Sequence, residues 1–273
     1  MLQAVDWLPR TEGSARLGLV RRGERTRLAR LEQSGAARLK FPRQGQGAPC
    51  EAVLVNTAGG LTGGDSFHIA AALGPGTEAT LTTAAAEKIY RARDGTAAVS
   101  VSLCVAAGAS LAWLPQPTIL YDRAALERTT RVELGAEASF LGLEILIFGR
   151  AAMGESVRWG SLHDQWRVWR EGRLLFADAV RLEGPIAERL ARPALLGGAG
   201  AMGLVLYVAA SAQERIESAR AILHTAGAAA GVSAFNGLLL ARAVAADGRV
   251  LQAQLTPLLQ ALHGRPLPRI WSC

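Results

Sequence analysis

A succession of short apolar or alternating runs, separated by turn residues, constrains the fold most. These runs lie at 15–20, 79–83, 99–105, 110–114, 128–134, 139–147 and 174–180. Pairs such as Asp94-Gly95 and Ala107-Gly108 separate them. Strands spaced by about 8–12 residues and bounded by turns indicate an all-β sandwich, barrel or stacked solenoid. No fixed repeat period is present, so the sequence predicts a mainly β fold with an irregular, layered or helically wound β-sheet body.

The pattern changes after Pro193. Residues 203–210 predict a buried strand, and 211–214 (S-A-Q-E) have the form of a capping box before an amphipathic helix that ends near 226. A strand at 233–244, a turn at Asp247-Gly248, a strand at 249–254 and a helix at about 257–262 complete the prediction. We therefore expect a β-rich body (1–192) joined to a C-terminal β-α-β-β-α segment (193–273) in one continuous domain with few α-helices.

Composition narrows the classes of partner. The net charge of +7 would suit an acidic partner, but the 30 basic residues are dispersed and no basic run is interleaved with aromatics. We therefore expect no nucleic-acid partner. The N-terminus has no signal-peptide pattern, and the uncharged stretch 193–213 is interrupted by Pro193 and several glycines. The sequence predicts a cytoplasmic protein without a membrane span.

No strong signature of metal binding or catalysis is present. The three cysteines and four histidines lie far apart, with no C-x-x-C or H-E-x-x-H motif. The P-loop, the dinucleotide-binding glycine pattern and the G-x-S-x-G nucleophile elbow are also absent from the sequence. We expect no catalytic residues and no tightly bound cofactor.

Residues 56–65 (N-T-A-G-G-L-T-G-G-D) form a glycine loop between two apolar runs. Two Gly-Gly pairs permit positive φ angles and the close approach of another backbone or a ligand. One interpretation is a tight connection between strands. The other is a functional loop that presents Asn56, Thr57, Thr62 and Asp65.

Glu144 lies within a nearly continuous apolar run, 139–150. An unpartnered buried carboxylate would cost several kcal/mol, so we expect Glu144 to be paired or to line a wet cavity. Arg150 and Lys88 are the candidate partners, and Glu155 adds a carboxylate beyond Arg150. Two interpretations remain open, an internal ion pair and a passage for a hard or borderline cation.

Five segments together resemble the urease accessory protein family UreD, also called UreH. They are 56–65, 82–91 (T-T-A-A-A-E-K-I-Y-R), 113–119 (W-L-P-Q-P-T-I), 144–155 (E-I-L-I-F-G-R-A-A-M-G-E) and 268–271 (P-R-I-W). They follow the order of the family, and the likeness spans residues 14–271. Two departures are notable. Ala84 stands where the family often has glutamine, and the Asn-Thr-Ala opening of the glycine loop lacks an imidazole.

The resemblance implies a non-enzymatic scaffold that binds apo-urease. With UreF and the GTPase UreG, such a scaffold lets nickel reach the urease active site. It also implies a layered β fold that winds like a helix, and an internal water-filled tunnel for nickel in transit. The expected tunnel or partner-contact residues are Asn56, Gly59, Gly60, Gly63, Gly64, Asp65, Lys88, Tyr90, Arg91, Glu144, Arg150 and Glu155. Asp65, Glu144 and Glu155 are expected to be weak, transient metal ligands. A β-rich hydrolase and an adaptor without a metal role are the alternative functions.

Overall fold

The computed structural model describes residues 10–43, 49–150 and 153–272. Strands make up 54% of the chain and helices 15%, so the predicted mainly β fold with few helices is confirmed. Two sheets are stacked in a solenoid-like arrangement.

The first sheet has seven strands and most of its neighbours are parallel. Across the sheet the order is β14 (Arg173–Pro185), β13 (Trp159–Arg170), β11 (Ala125–Leu134), β8 (Ala97–Val105), β5 (Ser66–Leu73), β1 (Glu12–Arg22) and β2 (Arg25–Gly35). The pairs from β13 through β11, β8 and β5 to β1 are parallel, whereas β14 and β2 are antiparallel edge strands.

The second sheet has ten strands. Its main path is β16 (Ala229–Phe235), β17 (Leu238–Ala245), β15 (Ala201–Val208), β12 (Ser139–Phe148), β9 (Ser110–Leu114), β6 (Glu78–Thr83), β4 (Cys50–Asn56) and β3 (Ala37–Lys40). The short β10 (Thr118–Leu120) pairs with both β12 and β7 (Glu87–Ile89).

From β4 to β13 the chain passes back and forth between the sheets, and the short strands β7 and β10 give two of the coils a second strand in the ten-stranded sheet. This winding explains why the neighbours within a sheet are parallel although the connections are short. Turn residues of the sequence make the crossings, as at 74–77 between β5 and β6 and at 135–138 between β11 and β12. The predicted helical winding thus follows from the spacing of strands and turns.

Two apolar cores hold the layers together. Inward-facing residues such as Phe67, Leu103 and Phe140 fill the space between the sheets. A second core lies between the ten-stranded sheet and two helices, α2 (Ile216–Thr225) and α3 (Gly248–His263). Strand β12 faces both cores, which explains its nearly continuous apolar sequence. Each fully buried leucine or phenylalanine contributes about 1.5–3 kcal/mol.

The C-terminal segment has the predicted order β-α-β-β-α, but several predicted bounds are wrong. The predicted strand 233–244 is a hairpin of β16 and β17, which turns at Asn236 and Gly237 with φ angles of 49° and 75°. The positive φ values suit an Asn-Gly turn. Strand β15 pairs with β12 and so extends the ten-stranded sheet. The division of the chain at residue 193 stays a prediction.

The predicted strand 249–254 is also wrong, because these residues form the first turns of α3. Asp247 caps this helix, and its Oδ1 accepts a hydrogen bond from the backbone nitrogen of Val250 at 2.9 Å. Leu251, Leu255 and Leu258 recur at helical spacing and are buried. Pro257 lies inside the helix, and its presence had suggested a new element there.

The predicted capping box at 211–214 does not form. A 3-10 turn at Gln213–Arg215 precedes α2, and no side chain caps either element. The Oγ of Ser211 lies 3.4 Å from the hydroxyl of Tyr207 instead. One further helix, α1 (Ile186–Leu190), and a 3-10 turn at Arg269–Ser272 complete the fold. No helix in the described ranges combines the length and the apolarity that a membrane crossing requires.

Candidate functional site

Segments that are far apart in the sequence meet at one end of the layered sheets. Asn56, at the end of β4, donates a hydrogen bond from Nδ2 to Glu87 Oε1 at 3.0 Å. The backbone nitrogen of Gln116 donates to Thr83 Oγ1 at 2.8 Å. The glycine loop therefore contacts the 82–91 segment, which in turn contacts the 113–119 segment.

The C-terminal Pro-Arg-Ile-Trp segment joins the same cluster. The indole Nε1 of Trp271 lies 3.3 Å from both Thr82 Oγ1 and the carbonyl oxygen of Leu114, and can donate to either. Thr82 Oγ1 itself donates to the carbonyl oxygen of Leu114 at 2.6 Å. Four of the five segments are therefore joined by direct hydrogen bonds.

A cavity of about 60 Å³ lies between the two sheets at this end. Its walls are mainly apolar, with Phe67, Ile89 and Trp113 among them. Its polar and charged lining comprises Thr83, Glu87, Gln116, Thr118, Arg128, Thr130 and Glu144. The cavity therefore offers oxygen atoms and one guanidinium group in otherwise apolar surroundings.

A second cavity, of about 120 Å³, lies beside the glycine loop; we call it the outer cavity and the first one the inner cavity. Asn56, Gly59 and residues 83–88 line it. The two cavities share Leu54, Thr83 and Glu87. Together they extend from the glycine loop, past Glu87, to Glu144.

Arg128 is the centre of the buried charges in the inner cavity. Its Nη2 donates to Glu144 Oε1 at 2.6 Å, and its Nη1 donates to Thr118 Oγ1 at 2.9 Å. Its Nε lies 3.1 Å from Oδ1 and 3.0 Å from Oδ2 of Asp164, and Oδ2 also accepts a hydrogen bond from Nη2. The indole of Trp166 donates to Glu144 Oε1 at 2.8 Å. One guanidinium thus bridges β10, β12 and β13.

The expected partners of Glu144 are wrong, because Arg128 occupies the place proposed for Arg150 or Lys88. Arg150 instead binds Glu155, with Nε 2.6 Å from Oε2, and its guanidinium lies 4.4 Å from the centre of the Tyr121 ring. Lys88 is exposed. The alternating pattern of β11 could have identified Arg128 as an inward-facing residue, because it lies on the same face as buried Leu126, Thr130 and Val132.

Burial raises the pKa of two carboxyl groups that line the cavity, Glu144 and Glu87. The pKa of Glu144 is raised from 4.5 to about 8 by burial and then by the charge of Asp164, against the opposing effect of Arg128. Burial likewise raises the pKa of Glu87 to about 7, although the hydrogen bond from Asn56 opposes the rise. Burial by itself would lower the pKa of Arg128, but the carboxyl groups of Asp164 and Glu144 outweigh this effect and raise that pKa above its usual value. The guanidinium therefore stays charged.

The free energy of unfolding is expected to decrease as the pH rises from about 4.5 to about 8. Folded Glu144 keeps its proton in this range whereas unfolded Glu144 releases it, so the folded state binds more protons. The stabilising contribution is complete below about pH 4.5 and is lost as the pH rises through about 8. For one group the slope is at most about 1.4 kcal/mol per pH unit. Urea denaturation at several pH values measures it.

The control for this pH dependence is Glu144→Gln, which keeps an oxygen acceptor for Trp166 but does not titrate. His263 acts in the opposite direction, because burial lowers its pKa. The informative quantity is therefore the difference in slope between the two proteins. Equal slopes would show that Glu144 does not titrate in this range.

The glycine loop closes onto β7 through its backbone. Leu61 donates from its backbone nitrogen to the carbonyl oxygen of Lys88 at 2.8 Å, and Tyr90 donates back to Leu61 at 2.7 Å. The hydroxyl of Tyr90 donates to the carbonyl oxygen of Gly59 at 3.2 Å. Gly59 and Gly60 have φ angles of 77° and 156°, which favour glycine. The glycines thus permit close packing of the loop beside the outer cavity.

Gly60→Ala is expected to lower the free energy of unfolding by about 2–3 kcal/mol, because of strain at a positive φ and overpacking. The new Cβ would lie 2.7 Å from the carbonyl oxygen of Lys88 and would also meet the Tyr90 ring. Gly59→Ala is the matched control, since no atom lies within 4 Å of its Cβ position. It is expected to lose only about 1 kcal/mol. Chemical denaturation compares the two, and equal losses would contradict the packing argument.

Asp65 faces neither cavity. It is 3% exposed, and its Oδ1 accepts from the backbone nitrogen of Thr11 at 2.7 Å while Oδ2 accepts from that of Thr62 at 2.8 Å. The carboxylate therefore stabilises the end of the glycine loop. Gly63 and Gly64 lie at this same end, against the backbone of Asp94-Gly95 and the side chain of Arg10 respectively.

The remaining candidates lie near the surface. Tyr90 packs edge to face on Tyr121 with ring centres 5.0 Å apart, and Arg91 is exposed. Asp65, Glu144 and Glu155 are bound by different partners and do not share a site. Across residues 10–43, 49–150 and 153–272, no group of three or more His, Cys, Asp or Glu residues could hold a metal ion.

Comparison with known proteins identifies the family. The family described as "UreD urease accessory protein" matches residues 11–272 of this chain. The chain belongs to the UreD family. It is 49% identical over 263 residues to the urease accessory protein UreD of Xanthobacter autotrophicus, a match that covers 96% of this chain and 90% of the relative.

Two further relatives agree with this assignment. The UreD proteins of Methylobacterium sp. strain 4-46 and Azorhizobium caulinodans are each 44% identical to this chain. Each match covers 96% of this chain, and they cover 95% and 97% of the relatives. The resemblance carried by the five segments is therefore confirmed. Membership of this family supports a role in urease maturation.

Proposed function

We propose that this chain is a non-enzymatic maturation scaffold that binds apo-urease. Together with UreF and the GTPase UreG, it enables nickel to enter the urease active site, with nickel as cargo and no tightly bound cofactor. The observation that carries the proposal is that four of the five family segments line two adjacent cavities, and that the fifth is hydrogen-bonded to two of these segments through Trp271. The positions of Glu87 and Glu144 in the cavity walls support one route from the glycine loop into the interior.

The chemistry of the lining suits a cation in transit. Carboxylate, hydroxyl and amide oxygens bind hard and borderline cations weakly enough to allow release. Glu87 lines both cavities and titrates near neutral pH, so it can exchange a proton for a passing cation. The charge of Arg128 would repel a cation in the inner cavity. Glu87 lines both cavities, so a cation could still contact it from the outer cavity. We assign Glu87 as the main contact of nickel along this route.

Co-expression with urease and its accessory proteins tests the proposal. Deleting this chain is expected to yield urease that has lost most of its nickel, measured by elemental analysis of the purified enzyme. Glu87→Gln is expected to reduce the nickel content while the complex with UreF and UreG still copurifies. Glu78→Gln is the matched control, since Glu78 pairs with Arg265 outside both cavities.

Two results would count against this function, and a third would decide the role of Glu144. Normal nickel content after deletion of the chain would refute a maturation role. A normal content with Glu87→Gln would instead favour an adaptor without a metal role. Loss of folding in the Glu144→Gln variant would assign Glu144 to an internal ion pair.

A further inference from the structure

Strand β2 is an exposed edge of the seven-stranded sheet. It pairs with β1 on one side, and no strand in the described part of the chain pairs with its other side. All of its residues except Thr26 are exposed. At 11 residues it is also long for an edge strand, since strands commonly have about 5–6 residues. Such an edge presents a row of backbone donors and acceptors to another strand.

The inner face of β2 carries uncovered apolar surface. Leu28 and Leu31 pair across the sheet with Leu19 and Leu17, which are buried in the core. Leu28 and Leu31 themselves are 45% and 36% exposed. An added strand with apolar residues on this face would cover both leucines.

The remainder of this edge is rich in arginine. Arg22, Arg25 and Arg27 are exposed around the β1–β2 turn, and Arg30 is exposed farther along. Among the described residues of β2, Glu32 is the acidic one, and it already binds Arg30 at 2.8 Å. The edge is therefore positively charged, and its charge complements an acidic strand.

The same charges disfavour pairing of β2 with the β2 strand of a second copy of this chain. Antiparallel pairing of two β2 strands would place arginines from both copies close together, and like charges across a strand pair are destabilising. Charged residues on an edge strand commonly prevent such self-association. The combination of free backbone, exposed leucines and arginines instead selects a partner of opposite charge.

We propose that β2 is a docking edge for a partner protein. The partner would add an extended segment, in which acidic and apolar residues alternate, as a further strand of the seven-stranded sheet. Its backbone would pair with β2, its apolar side chains would cover Leu28 and Leu31, and its carboxylates would face the arginines. This edge is separate from both cavities, so the inference does not depend on the route proposed for nickel.

Binding of labelled peptides to the full chain tests the proposal. The probe is a fluorescein-labelled peptide of about eight residues, the length of an average strand or a little more, with alternating glutamate and valine. Fluorescence anisotropy is expected to show binding at least about tenfold tighter than for the lysine-valine analogue at low salt. Proline at the centre of the peptide is expected to abolish binding, because it interrupts the backbone pairing. Hydrogen exchange is expected to slow in residues 25–35.

The double variant Arg25→Glu, Arg27→Glu is expected to weaken binding of the acidic peptide by at least about tenfold. The control variant Arg173→Glu, Arg181→Glu makes the same change of charge on β14, the opposite edge, and is expected to bind normally.

Equal binding of both peptides, absence of binding, or protection outside β2 would overturn the proposal. Protection of β2 that rises with protein concentration in the absence of peptide would identify a second copy as the occupant. Tighter binding of a single-stranded oligonucleotide at β2 would point to nucleic acid. Either result overturns the proposal.

Discussion

Arg128→Met is expected to lower the free energy of unfolding by about 3–5 kcal/mol, the usual loss when one partner of a buried ion pair is removed. The substitution leaves Glu144 and Asp164, which are 7% and 1% exposed, without the guanidinium that contacts both. Methionine has a similar length, so cavity formation adds little. Urea denaturation at neutral pH measures the loss.

The matched control is Arg181→Met. Arg181 binds Glu183 at 2.9 Å in an exposed pair, and such pairs contribute about 0–1 kcal/mol. The double variant Arg128→Met, Asp164→Asn should recover part of the lost stability, because it removes the carboxylate of Asp164 that Arg128 no longer contacts. A loss for Arg128→Met as small as that for Arg181→Met would show that the buried cluster is not a stabilising ion pair.

If the proposed route is correct, Ala85→Trp is expected to reduce nickel delivery to urease by on the order of tenfold, because a bulky apolar side chain would narrow and dry the proposed passage. Ala85 is exposed and lines the outer cavity, so the added indole can occupy the mouth without disturbing the core. Stability should therefore be nearly unchanged. Nickel content and activity of co-expressed urease measure delivery, and copurification of UreF and UreG measures assembly.

The control for this substitution is Ala98→Trp. Ala98 is exposed on β8 of the other sheet and lines neither cavity. It should leave nickel delivery near the level of the unmodified chain. Full delivery with Ala85→Trp would exclude the outer cavity as the route. Loss of copurification with Ala85→Trp would instead place a partner contact beside the glycine loop.

Glu144 binds Arg128 and also lines a cavity. Its predicted role in a passage for a cation stays a prediction. Because Arg128 occupies one of its oxygens, Glu144 is less available to a cation than Glu87 is. The sequence pointed to Lys88 and Tyr90 in this segment but not to Glu87, whose role depends on a cavity shared with distant residues.

The sequence by itself determined the fold class and the family. Alternating apolar residues and regular turns are local signals, and they are sufficient to predict short strands and a winding chain. Errors occurred where a local signal was misleading, as at Pro257 within α3 and at Ser211 before α2. The five ordered segments were sufficient to identify the family.

Only the tertiary structure decided which charges meet and where the segments converge. Arg128 and Asp164 are neighbours because β11 and β13 pair in parallel with these residues opposite each other, and Glu144 approaches them from the other sheet. Residues 36 positions apart in the chain are brought together by one coil of the winding. The register between sheets follows from packing of the whole core, which no local pattern encodes.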